Sequence, residues 1–173
     1  MIRFLLKSTC CVPEDGMADS KAEVTTKKNL LIVGFLCNWC SYGGADTAGV
    51  CRFHQPTDLR IIRIPCTGRM DPLFVVKALI YGADGVLVSG CHPKDCHYSE
   101  GNFYARRRLE ILKQFLPFMG IHTDRFRYTW VSSSEGQIWQ QVVTEFSETI
   151  HGLGPNPGVH GQTDAKAAMS FYT

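Results

Sequence analysis

Four apolar runs punctuate the chain: LLIVGFL at 30–36, LRIIRIP at 59–65, DGVLVSG at 84–90 and RFRYTWVS at 125–132. Each has the length and the β-branched or aromatic content of a strand. The first and third are almost continuously apolar, as in a parallel strand covered on both faces. Between the runs the hydrophobic period lengthens to that of a helix. Residues 44–54 predict a short, weak helix. Residues 71–82 predict a strong one, with Asp71 as N-cap, Pro72 at the first helical position and Gly82 as the stop. Residues 102–120 place Leu109, Leu112 and Leu116 on one stripe, preceded by Arg106, Arg107 and Arg108. Residues 132–152 open with Ser132 and Glu135 at capping-box spacing. Ile138, Val142, Phe146 and Ile150 then recur every four residues, and Gly152 closes the helix.

Strand and helix thus alternate four times. The pattern predicts an α/β fold: a doubly wound, mainly parallel four-stranded sheet with right-handed crossovers. A flavodoxin-like order is expected, with strand 2 beside strand 1 and strand 3 on its other side. Residues 1–28 read as a flexible leader, 29–152 as the folded domain and 153–173 as a flexible tail with Pro and Gly in quick succession.

Composition adds limits. The 173 residues suit one domain, with 45% hydrophobic and 20% charged residues. A net charge of +2 gives no electrostatic case for nucleic acid or an anionic membrane. No run reaches the roughly 18 to 20 apolar residues of a membrane helix. The apolar stretch Phe4–Leu6 is too short for a signal peptide, so a cytoplasmic location is expected. Eight cysteines is a high count for such a chain. In a reducing compartment it points to metal or redox chemistry rather than disulfides. Cys10 and Cys11 fall in the leader and Cys51 in a helix-like segment, which leaves five of interest.

Those five share a topological position. Cys37 and Cys40 follow the first strand, Cys66 the second, and Cys91 and Cys96 the third. Ligands of open parallel sheets bind beyond the carboxyl ends of the strands, so the expected strand order brings five thiols to one rim. A dinucleotide site is disfavoured, because the turn CNWCSYGGAD lacks G-x-G-x-x-G. A thioredoxin-type dithiol would use CNWC, but that motif usually opens a helix, and three cysteines would go unexplained. Structural zinc suits four thiolates, yet the sheet has a core of its own. An iron–sulfur cluster needs soft thiolates and backbone donors to sulfur. Gly43, Gly44, Gly68 and Gly90 lie beside the cysteines and permit such turns. Arg69 and Lys94 would offset negative charge, and Trp39, Tyr42 and Tyr98 would exclude water; each also reads as an ordinary loop residue. His92 and His97 would serve a Rieske-type site, but five thiols make histidine ligation unnecessary. No segment shows a nucleophile with its base and orienting group. A zinc-stabilised binding module and a thiol–disulfide oxidoreductase stay open as alternatives.

The stretches CNWCSYGGADTAG, RIPCTGRMDP, GVLVSGCHPKDCHYSEGN and RFRYTWVSSSEG together resemble the delta (iron–sulfur) subunit of the methyl-viologen-reducing hydrogenase. The resemblance covers about residues 30–150. It implies an electron-transfer subunit with one [2Fe–2S] cluster and no substrate of its own. It implies a relay between a nickel–iron hydrogenase, or a formate dehydrogenase, and the flavin-bearing subunit of heterodisulfide reductase, within the flavin-based electron bifurcation of anaerobic metabolism. The family's cysteines correspond to Cys37, Cys40, Cys66, Cys91 and Cys96, of which four are expected to ligate iron. The resemblance leaves open which one is spare; among the ligands Cys91 and Cys96 come first and Cys37 next. Arg106–Arg108 would steer an acidic partner or form a solvated helix face.

Overall fold

The apolar runs pair through their backbones because a strand buried on both faces has no water to satisfy its amides. The computed structural model describes residues 30–157. Four strands, β1 (Ile32–Cys37), β2 (Leu59–Ile64), β3 (Gly85–Gly90) and β4 (Phe126–Trp130), form one sheet in the order β2-β1-β3-β4. Every pairing is parallel. The central strands are those whose sequences are most apolar; β3 is buried at every residue. β2 is an edge strand, and its middle residues Arg60 to Arg63 are exposed.

Parallel neighbours need crossovers, and helices supply them. These are α1 (Ser41–Val50), α2 (Pro72–Ile80), α3 (Gly101–Phe115) and α4 (Gly136–Leu153). One core layer joins Ile32, Leu36 and Leu87 of the sheet to Ala45 and Ala48 of α1 and to Trp139, Val142, Val143, Phe146 and Ile150 of α4. The opposite layer joins Phe35, Val86, Val88 and Phe126 to Val75 and Leu79 of α2 and to Leu109 and Leu112 of α3, with Leu116 just beyond it. Each large side chain buried in these layers stabilises the fold by about 1.5–3 kcal/mol.

The expected caps of α2 are present: Asp71 accepts from the Leu73 amide at 2.8 Å, and Gly82 adopts a positive φ of 115°. Two helix starts and one buried stripe differ from the sequence pattern. α1 begins at Ser41, three residues before the expected start at Gly44. α4 begins at Gly136, and only half of the capping box forms: Glu135 Oε2 accepts from the Ser132 amide at 2.7 Å. On α4, Ile138 is 42% exposed while Trp139 is fully buried, so the apolar stripe starts one residue later than the four-residue repeat suggests.

The folded chain also runs past Gly152. Asn156 is buried, and its side chain donates to the carbonyls of Leu79 and Ala83, both at 3.1 Å. Asp84 accepts from the Leu31 and Asn156 amides at 2.8 and 2.7 Å. Arg125 donates to the carbonyls of Asp84, Gly154 and Pro155. This knot of buried polar groups ties the end of α4 to the amino-terminal edge of the sheet. Asp84→Ala should cost about 3 kcal/mol, because it strands the Leu31 and Asn156 amides and removes the negative charge near buried Arg125. Urea unfolding checks this; a loss under about 0.5 kcal/mol would contradict it. The leader, with Cys10 and Cys11, and the tail beyond residue 157 lie outside the described residues.

Candidate redox-metal site

Parallel pairing carries three cysteine-bearing loops to the same sheet edge. Cys37 is the last residue of β1, and Cys40 occupies the position that opens α1. Cys66 opens a 3-10 turn, Thr67–Arg69, two residues after β2. Cys91 follows β3 directly, and Cys96 lies in the loop that leads to α3. Four of the five are buried; Cys40 is half-buried.

The buried four form two pairs. Cys37 Sγ lies 3.6 Å from Cys91 Sγ, and Cys66 Sγ lies 3.7 Å from Cys96 Sγ. Cys91 and Cys96, close in sequence, thus belong to different pairs. Cys40 approaches Cys91 and adds to the network of thiols without a close partner of its own. Among the described residues, no three His, Cys, Asp or Glu side chains converge tightly enough to enclose a single metal ion.

Backbone amides face the sulfurs. The N–H groups of Trp39, Cys40 and Thr67 point at Cys37, and the Gly68 N–H donates to Cys66 at 3.3 Å. The Cys91 thiol, with those amides, lowers the Cys37 pKa to about 6 against the opposing effect of burial. Cys91 is correspondingly pushed up, first by its hydrogen bond to Cys37 and then by burial. Burial raises Cys66 to about 11, with the Gly68 amide opposing, and burial also raises Cys40. The amides and the Cys91 thiol thus favour ionisation of Cys37 within its pair, and the remaining thiols ionise when a cation arrives.

The glycines divide their work. Gly68 and Gly101 meet backbone to backbone; a Cβ on Gly68 would stand 2.8 Å from Gly101 Cα. A Cβ on Gly101 would stand 2.5 Å from Cys66 Sγ and 3.2 Å from Cys96 Sγ, so the first residue of α3 forms a wall of the cavity. Gly43 and Gly44 serve a different purpose from the one expected, letting α1 pack on Ser133 and the Ser132 carbonyl.

Other expected contributors also sort themselves. Trp39 stacks on His97, centroids 3.8 Å apart, and joins the first and third cysteine loops as a partial cover. Tyr98 meets His97 edge-on. Tyr42 packs on the α1/α4 core layer with Arg63 over its ring. Lys94 and Arg69 are both exposed. Arg108 donates to the Gly68 carbonyl at 3.1 Å and so ties α3 to the Cys66 turn. Asn102, missed by the sequence pattern, is buried and donates to the carbonyls of Cys91 and His92. An open cleft of about 440 Å³ reaches Cys66 between Arg69, Tyr98, Gly101 and Tyr104. The thioredoxin-type rival gains one point, since Cys40 does open a helix, and loses another, since Cys37 pairs with Cys91 rather than Cys40.

His92 is engaged from the side: its Nε2 lies 2.6 Å from Glu135 Oε2. The Ser132 amide, and after it His92, hold the Glu135 carboxyl below the ordinary carboxylate range. A carboxylate of depressed pKa stabilises the fold above its unfolded-state value and loses that contribution as pH falls through the folded-state value. Stability of the wild type should therefore fall more steeply than that of Glu135→Gln below about pH 5. Parallel profiles from urea unfolding at stepped pH would contradict this.

Residues 32–154 match the family described as methyl-viologen-reducing hydrogenase, delta subunit. The chain belongs to that family. It is 49% identical over 124 residues to the iron-sulfur subunit of the vhc F420-non-reducing hydrogenase of Methanococcus voltae, covering 72% of this chain and 86% of that one. It is 50% identical over 124 residues to the iron-sulfur subunit of the F420-non-reducing hydrogenase of Archaeoglobus profundus, covering 72% and 90%. A third relative differs in architecture. It is a chain of the ferredoxin:CoB-CoM heterodisulfide reductase of Methanosarcina mazei, 46% identical over 143 residues, which are 82% of this chain but 18% of that protein. This family thus includes hydrogenase-associated subunits, and a domain like it is part of a heterodisulfide reductase chain. No helix among the described residues is long and apolar enough to cross a membrane.

Proposed function

We propose that this delta-subunit chain carries one [2Fe–2S] cluster and relays electrons in the cytoplasm between a hydrogenase, or a formate dehydrogenase, and the flavin-bearing subunit of a heterodisulfide reductase-type complex. The observation that carries the proposal is the division of four buried thiols into two pairs. Two sulfurs on one tetrahedral metal with bonds of ~2.3 Å stand about 3.8 Å apart. The pairs at 3.6 and 3.7 Å fit that edge, once for each of two metal atoms. A single zinc would instead need four sulfurs around one point.

Cys37 with Cys91 would hold one iron and Cys66 with Cys96 the other, leaving Cys40 as the spare thiol. When bound, the cluster supplies a site that takes up and gives out one electron at a time. The chain's own groups set the conditions. The Trp39, Cys40, Thr67 and Gly68 amides favour added negative charge at sulfur. Trp39 and His97 cover one side, while the cleft at Cys66 leaves another side open for a partner. The names of the relatives, iron–sulfur subunits of hydrogenases and a heterodisulfide reductase chain, support the choice of partners. Stepwise reduction of anaerobically purified protein tests the relay. Uptake of about one electron per chain, with a paramagnetic reduced state, is expected; a colourless protein with no redox transition would rule it out.

A further inference from the structure

Among the described residues, four buried side-chain polar atoms have no hydrogen-bond partner in the protein: Ser41 Oγ, Thr67 Oγ1, Ser89 Oγ and Asn102 Oδ1. They come from four segments, each within two residues of a cysteine or bonded to a cysteine's backbone. Ser41 follows Cys40, Thr67 follows Cys66, Ser89 stands two residues before Cys91, and Asn102 holds the Cys91 carbonyl. An unpaired buried hydroxyl is costly, so proteins seldom leave one without a reason. The three hydroxyls, each a donor without an acceptor, are an independent sign that the cavity holds a group rich in acceptors; Asn102 Oδ1, itself an acceptor, is left out of that argument.

Thr67 is the best placed of them. It is 1% exposed. Its chain neighbour Cys66 belongs to one thiol pair, and its backbone N–H faces Cys37 of the other. Its side chain packs on Gly90, next to Cys91: a Cβ built there would lie 2.9 Å from Thr67 Oγ1. The residue thus lies next to both pairs, and no cysteine sulfur accepts the hydroxyl proton.

We propose that the Thr67 hydroxyl is a positioning group that donates a hydrogen bond to cluster sulfur and so raises the cluster's reduction potential. The inference rests on the [2Fe–2S] reading of the site. The physical reason is charge: reduction adds a negative charge, and a donor aimed at sulfur stabilises the reduced form more than the oxidised form. A buried water bonded to Thr67 is the competing explanation, and it would leave the potential untouched.

The test uses the full chain, purified without oxygen, as wild type, Thr67→Val and Thr67→Ser. Iron, acid-labile sulfide and the midpoint potential are measured on each. Thr67→Val should keep its iron and sulfide but favour reduction about tenfold less, a fall of ~59 mV for one electron. Thr67→Ser should stay at the wild-type value. A Thr67→Val protein with a full cluster and an unchanged potential would overturn the inference. Should Thr67→Val lose the cluster, retention by Thr67→Ser supports the hydroxyl's role and loss from both overturns it. A wild type without iron and sulfide would bring down the reading of the site itself, an outcome distinct from the other two.

Discussion

Cys91→Ser should lose its iron, by at least tenfold relative to wild type, while its far-ultraviolet circular dichroism stays that of the folded sheet. Cys91 is the hub of the thiol network, 3.6 Å from Cys37 and approached by Cys40. Serine removes the soft thiolate that iron prefers and leaves a harder hydroxyl in its place. The fold survives because the core layers on either side of β3 do not depend on that sulfur. Cys40→Ser provides the contrast and should retain the cluster, since Cys40 stands outside both close pairs. Iron retained by Cys91→Ser, or lost from Cys40→Ser alone, would reverse the assignment of the spare thiol.

Gly101→Val should have nearly as large an effect by a different route. The new side chain would begin 2.5 Å from Cys66 Sγ and 3.2 Å from Cys96 Sγ, inside the contact distance of carbon and sulfur. Either α3 shifts or the Cys66 and Cys96 sulfurs separate, and the turn at Gly68 blocks the first escape because its backbone already touches Gly101. We expect loss of the cluster and a stability cost of about 2 kcal/mol from overpacking. Gly49→Ala is the matched control: nothing lies within 4 Å of its added Cβ, so cluster content should not change. It should also gain roughly 0.5–1 kcal/mol from helix propensity. Equal cluster content in the two variants would show that the wall at Gly101 is not part of the site.

The strands were the most legible part of the sequence, because burial on two faces writes itself as an unbroken apolar run. The place of β2 beside β1 followed from the expected strand order, and the exposed arginines of LRIIRI agree with an edge. The start of α1 was not, since Gly43 and Gly44 look like a turn in one dimension. Their small size is needed where α1 packs against Ser132 and Ser133, a contact almost ninety residues away in sequence. Trp139 and Ile138 compete for the same face of α4, and only the position of the sheet decides between them. Convergence of five cysteines followed from strand order alone. The pairing within that set did not, because chain proximity favours Cys91 with Cys96 while the loop sends Cys96 across to Cys66. Thr67, Gly101, Asn102 and Arg108 carried no motif; their roles come from what they touch once α3 lies against the Cys66 turn.

Four paired thiols holding a two-iron, two-sulfide group is the claim on which the relay, the spare Cys40 and the role of Thr67 all depend. Iron and acid-labile sulfide counted per chain in the anaerobically purified full-length protein decide it. The paired geometry predicts about two of each per chain. Zinc in place of iron, or iron without sulfide, would contradict it.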